Sequence, residues 1–169
     1  PMFSGKTAEL IRRISRVNYS KKKVLTFKPK TDDRYSKKFI VSHDGEKITC
    51  EVASNNGEIL KAINNADVFA FDEVQFYSKS IIQIFNKLSL NGKRVIAAGL
   101  DKDYNAKPFG PMPYLLAHAD YISKLNSICM KCGKIANFSF RLTHEKTQIL
   151  VGEAEKYEAR CRLCFYRKD

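Results

Sequence analysis

Nowhere among the 169 residues is there an unbroken run of about 18 apolar side chains, the minimum for a helix that crosses a bilayer. The N-terminal region also has neither the apolar core nor the small-residue cleavage site of a secretory signal. Internal repeats and low-complexity tracts are missing too, which excludes a repeat array or a compositionally biased linker. Acidic residues are scarce: 18 Asp and Glu stand against 30 Lys and Arg, a formal net charge of +12. Such a surplus invites a nucleic-acid reading, yet the cations are scattered through Arg12, Arg13, Lys21 to Lys23, Lys37, Lys38, Arg167 and Lys168. A solvated basic surface is the plainer account, and attraction of anionic nucleotides fits either. The expectation is a soluble, cytoplasmic protein with no membrane partner. At 44% hydrophobic residues the chain can bury one main core and carry a small appendage.

The chain opens Pro1-Met2-Phe3-Ser4-Gly5-Lys6-Thr7 and runs straight into Ala8-Glu9-Leu10-Ile11-Arg12-Arg13-Ile14. This is the back end of the phosphate-loop pattern GxxxxGK[ST], whose first glycine would fall before Pro1. A loop of this kind follows a buried strand, so the sequence is expected to be given without that strand. A Gly-Lys-Thr step entering a helix suits a phosphate: backbone N–H groups and the positive helix end surround the anion, Lys6 adds a point charge, and the Thr7 hydroxyl can ligate Mg²⁺. Alone, the same step also occurs as an exposed turn before a helix.

Leu10, Ile11, Ile14 and Val17 recur at helical spacing, so the first helix should cover a sheet. Val24 to Phe27 reads as a buried strand, and the polar segment Lys30 to Tyr35 follows its end, where an open parallel sheet binds ligands. Arg34 there is either an active-site cation or merely solvated. Lys47 to Ala53 reads as a strand that buries Cys50, and Glu58 to Asn65 as a short helix. Val68-Phe69-Ala70-Phe71-Asp72-Glu73 is an apolar run ending in two carboxylates, the form of a strand that delivers an aspartate to Mg²⁺. Asp72 would hold the metal while Glu73 faces the hydroxyl or water that attacks the γ-phosphate. Water would make an ATPase; a substrate alcohol would make a small-molecule kinase. Ser78 to Leu90 follows as a helix, Arg94 to Leu100 as a strand, Tyr114 to Ala119 as a short helix and Tyr121 to Leu125 as a last strand. The alternation implies a mostly parallel sheet with helices on both faces. Phe76, Tyr77 and the stretch Asp101 to Pro111 lie beyond strand exits, where aromatics either pack or line a pocket for a flat ring.

Four of the five cysteines stand as Cys129-x-x-Cys132 and Cys161-x-x-Cys164. Without a secretion signal, two C-x₂-C steps read as a tetrahedral zinc site rather than disulfides. The interval between the pairs is longer than in a compact zinc ribbon, so an excursion is tethered at both ends. Asn137 to Leu142 and Lys146 to Val151 would form a hairpin within it. The appendage is expected to span 127–169, after a nucleotide-binding α/β domain over 1–126.

Through PMFSGKT, DDRY, FDEVQFY, GLDKDY, KPFGP, CMKC, VGEAEKY and CRLC, in that order, the chain resembles the type II thymidine kinases, the phosphate-loop family of the cytosolic vertebrate enzyme and many bacterial ones. That resemblance implies a P-loop NTPase-type α/β fold with a small zinc-binding domain carrying a lasso-like loop. It implies transfer of the γ-phosphate of ATP to the 5′-hydroxyl of thymidine, and of deoxyuridine too. By matching motifs, Met2, Phe3, Ser4, Gly5, Lys6 and Thr7 would cradle the donor phosphates, with Asp32, Asp33, Arg34, Asp72, Glu73, Val74 and Gln75 completing the ATP and Mg²⁺ side. Glu73 would be the catalytic base, with Arg34 and Lys6 steadying phosphates during transfer. Met2, Phe76, Leu100, Tyr104, Phe109, Ser139 and Tyr157 would surround thymidine, and the loop of Gln148, Ile149, Leu150, Val151 and Gly152 would bond the base through its backbone. Cys129, Cys132, Cys161 and Cys164 would hold structural Zn²⁺. A homotetramer inhibited by the end product dTTP is also implied, with nucleic acid not expected as a partner.

Tyr104 stands where many members have phenylalanine, adding a hydroxyl that needs a partner, and Ser139 replaces the commoner threonine. Val74 replaces a glycine seen in some members. The alternative reading is a P-loop ATPase whose zinc module binds nucleic acid through Lys131, Lys134, Arg141, Lys146, Arg160 and Arg162. Glu145, Glu153, Glu155 and Glu158 interrupt that series. A third reading is a zinc-stapled nucleotide sensor without catalysis.

Overall fold

The computed structural model describes residues 1–30, 38–42, 45–53, 56–144, 147 and 156–167. Helix α1, Lys6–Asn18, buries Leu10, Ile11, Ile14 and Val17 along one stripe, as the spacing predicts. Its other faces carry Glu9 paired with Arg12 and Arg13 at 2.6 and 2.8 Å. Strand β1, Val24–Pro29, follows, with its last four residues buried. Within it Lys28 lies 1% exposed and donates from Nζ to the carbonyl of Phe39 at 3.2 Å.

The segment read as one strand over Lys47 to Ala53 is two. Phe39–Val41 (β2) pairs antiparallel with Lys47–Thr49 (β3), and Glu51–Ala53 (β4) then runs parallel to β1. Cys50 is the break between them: half-buried rather than a buried strand residue, it spends its N–H on the Lys38 carbonyl at 2.9 Å. Serving one partner and then another requires the chain to turn at that point.

Helix α2, Asn56–Lys61, ends earlier than the pattern to Asn65 suggests, unwinding into turn bonds such as Ala62 N–H to Ile59 at 3.2 Å. Strand β5, Val68–Phe71, is buried at every position. Successive side chains point to opposite faces, so Val68 and Ala70 meet Leu10, Ile14 and Val17 of α1, while Phe69 and Phe71 meet the other layer. That layer contains helix α3, Ile81–Leu90, and residues of helix α4, Met112–His118. Strand β6, Arg94–Ala97, completes a parallel sheet of order β4-β1-β5-β6. Its ladder ends before the expected Leu100, because Ala98 makes its last bonds to Phe71 and Val74 and the chain then turns across Gln75. Helices flank the sheet on both faces, and among the described residues no helix is long and apolar enough to cross a membrane.

Tyr121 to Leu125 is not a strand. The segment has no ladder partner among the described residues, and Tyr121 stays 90% exposed. Side chains fasten it instead, through Arg13 to Ser123 at 2.8 Å and Lys124 to Asp101 at 3.0 Å. A short hairpin of Ser127–Ile128 (β7) and Ile135–Ala136 (β8) comes next. Phe138–Arg141 (β9) pairs antiparallel with Tyr157–Arg160 (β10), and helix α5, Arg162–Tyr166, follows. Of the predicted second hairpin arm, only Thr147 lies within the described residues.

Candidate active site

The loop at the start of α1 shows why its residues are what they are. Gly5 sits at φ 72°, a left-handed conformation that glycine adopts without penalty. A methyl group placed there would meet nothing within 4 Å, so the space before the helix is open. The first helical bond runs from Glu9 N–H to Gly5 C=O at 2.9 Å, and the amides ahead of it point out of the positive helix end. Lys6 Nζ folds over this space and donates to the Pro1 carbonyl at 3.0 Å, as does the Ser4 hydroxyl at 2.8 Å. Outward-facing amides, a lysine and open space at a helix start are the features that suit a phosphate.

Thr7 projects from the first turn and donates its hydroxyl to Asp72 Oδ2 at 3.2 Å, across 65 positions of sequence. Asp72 leaves the carboxyl end of β5, where its own N–H extends the ladder to Phe27 at 3.0 Å. It is 4% exposed. Burial, and then the neighbouring Glu73 charge, push its carboxyl up to about 7, against the opposing pull of the Glu73 N–H, Lys6 and Thr7. A buried carboxylate and a hydroxyl 3.2 Å apart are a hard-oxygen pair of the kind that holds Mg²⁺ beside substrate phosphates. A divalent cation there would supply the charge that favours ionised Asp72.

Glu73 departs in another direction. Its φ of 50° turns the chain out of the strand into a single 3₁₀ turn, Val74–Phe76. Its carboxylate accepts from the Gln75 side-chain amide, whose oxygen in turn accepts from Leu100 N–H at 2.9 Å. Val74 and Gln75 are buried, not open to solvent. Phe76 stands edge-on to Phe109 with centroids 5.6 Å apart, so these two expected pocket aromatics do meet.

Across from them, Ser139 on β9 accepts from the Met2 N–H at 3.0 Å, fastening the phosphate loop to the cysteine-bearing part. Tyr157 is buried, and its hydroxyl accepts from Arg141 Nη2 at 2.6 Å and Nε at 3.1 Å. The Arg141 guanidinium lies 3.6 Å from the centroid of the Tyr104 ring and also donates to the Thr147 carbonyl. Sequence reasoning counted Arg141 only as a surface cation. The available signal was the period of two along β9, which sets Arg141 on the same face as Ser139. Asp32, Asp33, Arg34 and Gln148 through Gly152 lie outside the described residues.

The four cysteine sulfurs all lie within 4.8 Å of one another, with Cys132 and Cys161 at 3.6 Å. That is far beyond a disulfide bond and close to the edge of about 3.8 Å expected for a tetrahedron of thiolates around zinc. Each pair is presented by a local turn. Gly133, at φ 71°, lets the β7–β8 turn close with Cys129 N–H to Lys134 at 2.7 Å, and Cys161 caps α5 by accepting from Cys164 N–H at 3.5 Å. Burial opposes ionisation of Cys129, but backbone donors at Cys161, Lys131 and Cys132 overcome it and bring the thiol to about 6. Contact with Cys132 and then Cys161 pushes Cys164 up to about 12. Four cysteine sulfurs so close could share one metal ion, and this donor set fits zinc.

Comparison with known proteins agrees with this arrangement. A family model described as thymidine kinase matches residues 1–165. The thymidine kinase of Bacteroides fragilis (strain YCH46) is 46% identical over 166 residues, 98% of this chain and 83% of that protein. That of Bacteroides thetaiotaomicron is likewise 46% identical over 166 residues, with the same shares of both chains. The thymidine kinase of Rhodothermus sp. is 44% identical over 164 residues, 97% of this chain and 77% of that protein. With its glycine-opened helix, buried strand-end aspartate and four-cysteine cluster, the chain belongs to the thymidine kinase family.

Proposed function

We propose that the protein transfers the γ-phosphate of ATP to the 5′-hydroxyl of thymidine, giving dTMP for nucleotide salvage, and that deoxyuridine is accepted too. The observation that carries this reading is the meeting of Thr7 and Asp72 beneath an open, glycine-lined helix start, in a chain of this family. Thr7 and Asp72 would hold Mg²⁺, which when bound neutralises charge on the donor phosphates. Met2 to Thr7 would wrap those phosphates, with Lys6 swinging from the Pro1 carbonyl onto them. Glu73 would accept the proton of the 5′-hydroxyl as its oxygen bonds to phosphorus and the bond to the leaving ADP oxygen breaks. Asp32, Asp33 and Arg34 would add the remaining charge around the phosphates.

Phe76, Leu100, Tyr104, Phe109 and Ser139 would line the side that takes the flat pyrimidine, with Tyr157 and the backbone of Gln148 to Gly152 closing over it. A dry, closed pocket discriminates against larger bases and keeps water from the phosphate. Cys129, Cys132, Cys161 and Cys164 would bind Zn²⁺, whose contribution is to hold both ends of that covering segment. The division into parts 1–126 and 127–169, a homotetrameric assembly, cytoplasmic location and inhibition by dTTP belong to the same proposal and rest on family membership.

A Glu73→Gln variant tests the role given to the base. Nucleotide affinity should stay within a few-fold by titration calorimetry, while turnover falls about 10²- to 10⁴-fold. Near-normal turnover in a folded variant would refute the assignment.

A further inference from the structure

Gln75 is 3% exposed, and its backbone and side chain are gripped from two sides. A methyl group at Gly99 would come within 2.8 Å of its Oε1, and one at Gly110 would collide with its backbone carbonyl. Two glycines thus admit this residue to the junction between β5 and the 99–110 loop. The orientation of its amide follows from its neighbours. Leu100 N–H can only donate, at 2.9 Å, so the amide oxygen faces Leu100 and the amide nitrogen faces the Glu73 carboxylate. Glu73 itself sits at φ 50°, a left-handed conformation that is strained for a non-glycine residue and persists only where its surroundings hold it.

We propose that Gln75 is a positioning residue for the transfer: its amide locks the Glu73 carboxylate to the Leu100 backbone and so couples the proton acceptor to the loop carrying Leu100, Tyr104 and Phe109. The inference rests on the function proposed above for Glu73. It moves Gln75 from the phosphate side, where sequence matching groups it, to the hinge between base and nucleoside pocket. Occupancy of the pocket, by pressing on the 99–110 loop, would then set the carboxylate at its working distance from the 5′-hydroxyl.

Two near-isosteric variants separate this role from simple filling of space. Gln75→Glu keeps an acceptor for Leu100 N–H but loses the donor to Glu73. Gln75→Met keeps volume and loses both bonds. Steady-state kinetics with ATP, Mg²⁺ and thymidine should show kcat lowered about ten- to hundredfold in both, the range for a lost hydrogen bond to a charged group. KM for thymidine should rise only in Gln75→Met. In a Glu73→Gln background, Gln75→Met should lower kcat less than about threefold further, since nothing remains to be positioned.

Folding of each variant is checked by its melting curve, and if Gln75→Met does not fold, Gln75→Glu alone decides. A kcat within about threefold of the parent in folded Gln75→Glu would overturn the proposal. So would an equal loss from Gln75→Met in the parent and in the Glu73→Gln background. If instead the Glu73→Gln single variant turns over normally, the assignment of the base fails first, and that outcome is read independently of Gln75.

Discussion

Asp72 is almost wholly removed from water, beside a second carboxylate, and its carboxyl is pushed up to about 7 by burial and then by Glu73. For a carboxyl whose value is raised on folding, the folded state binds the proton more tightly between the ordinary value of 3.8 and about 7. In protein free of Mg²⁺ and nucleotide, the Asp72 contribution therefore weakens stability progressively as pH rises through that window, and is flat above it. Asp72→Asn should accordingly melt higher than the parent at pH 8, by a few degrees, and at about the same temperature at pH 4, while losing activity. A variant less stable than the parent at pH 8 would contradict this. The Asp72-Glu73 pair was legible because both residues end one apolar run. Arg141 was not: its partners Tyr104 and Tyr157 are distant in sequence, and only the folded strand pair brings its guanidinium to them.

Between elements, the cysteine cluster touches the phosphate loop directly. Phe3 packs against Cys129, Ala136, Ala159 and Cys161, and does so at φ 60°, while Met2 bonds to Ser139. A left-handed phenylalanine is retained only if its packing outweighs about 1–2 kcal/mol of strain. Stripping the metal proposed for the cysteine cluster should therefore raise KM for ATP as well as for thymidine, each several-fold, before the parallel sheet unfolds. The check is kinetics alongside circular dichroism during chelator titration; an unchanged KM for ATP in folded, zinc-free protein would dismiss the contact. Elements with a strong period, α1, β5 and α3, were readable from their apolar spacing. The split at Cys50 and the β9–β10 pairing were not, because strand partners are chosen by register over long separations rather than by local pattern. Tyr121 to Leu125 has strand composition but no ladder partner among the described residues, and composition alone does not supply one.

For the molecule as a whole, a formal charge of +12 raised the question of nucleic acid. Of the six cations proposed for such a platform, five lie among the described residues, and two of these are buried. Arg141 serves Tyr104 and Tyr157, and Arg160 lies 3.4 Å over the Phe140 ring and pairs with Glu158 at 2.5 Å. Positive charge interrupted in this way suits capture of a small polyanion such as ATP better than tracking a phosphate backbone. The fold class was legible from alternating strand and helix patterns, and the four-cysteine cluster from cysteine spacing. The direct contact of that cluster with the phosphate loop needed three dimensions. The most direct measurement is to incubate the protein with γ-labelled ATP, Mg²⁺ and a panel of nucleosides and separate the products. Label on thymidine and deoxyuridine but not on purine nucleosides is the predicted result; label released only as free phosphate would contradict the assigned transfer.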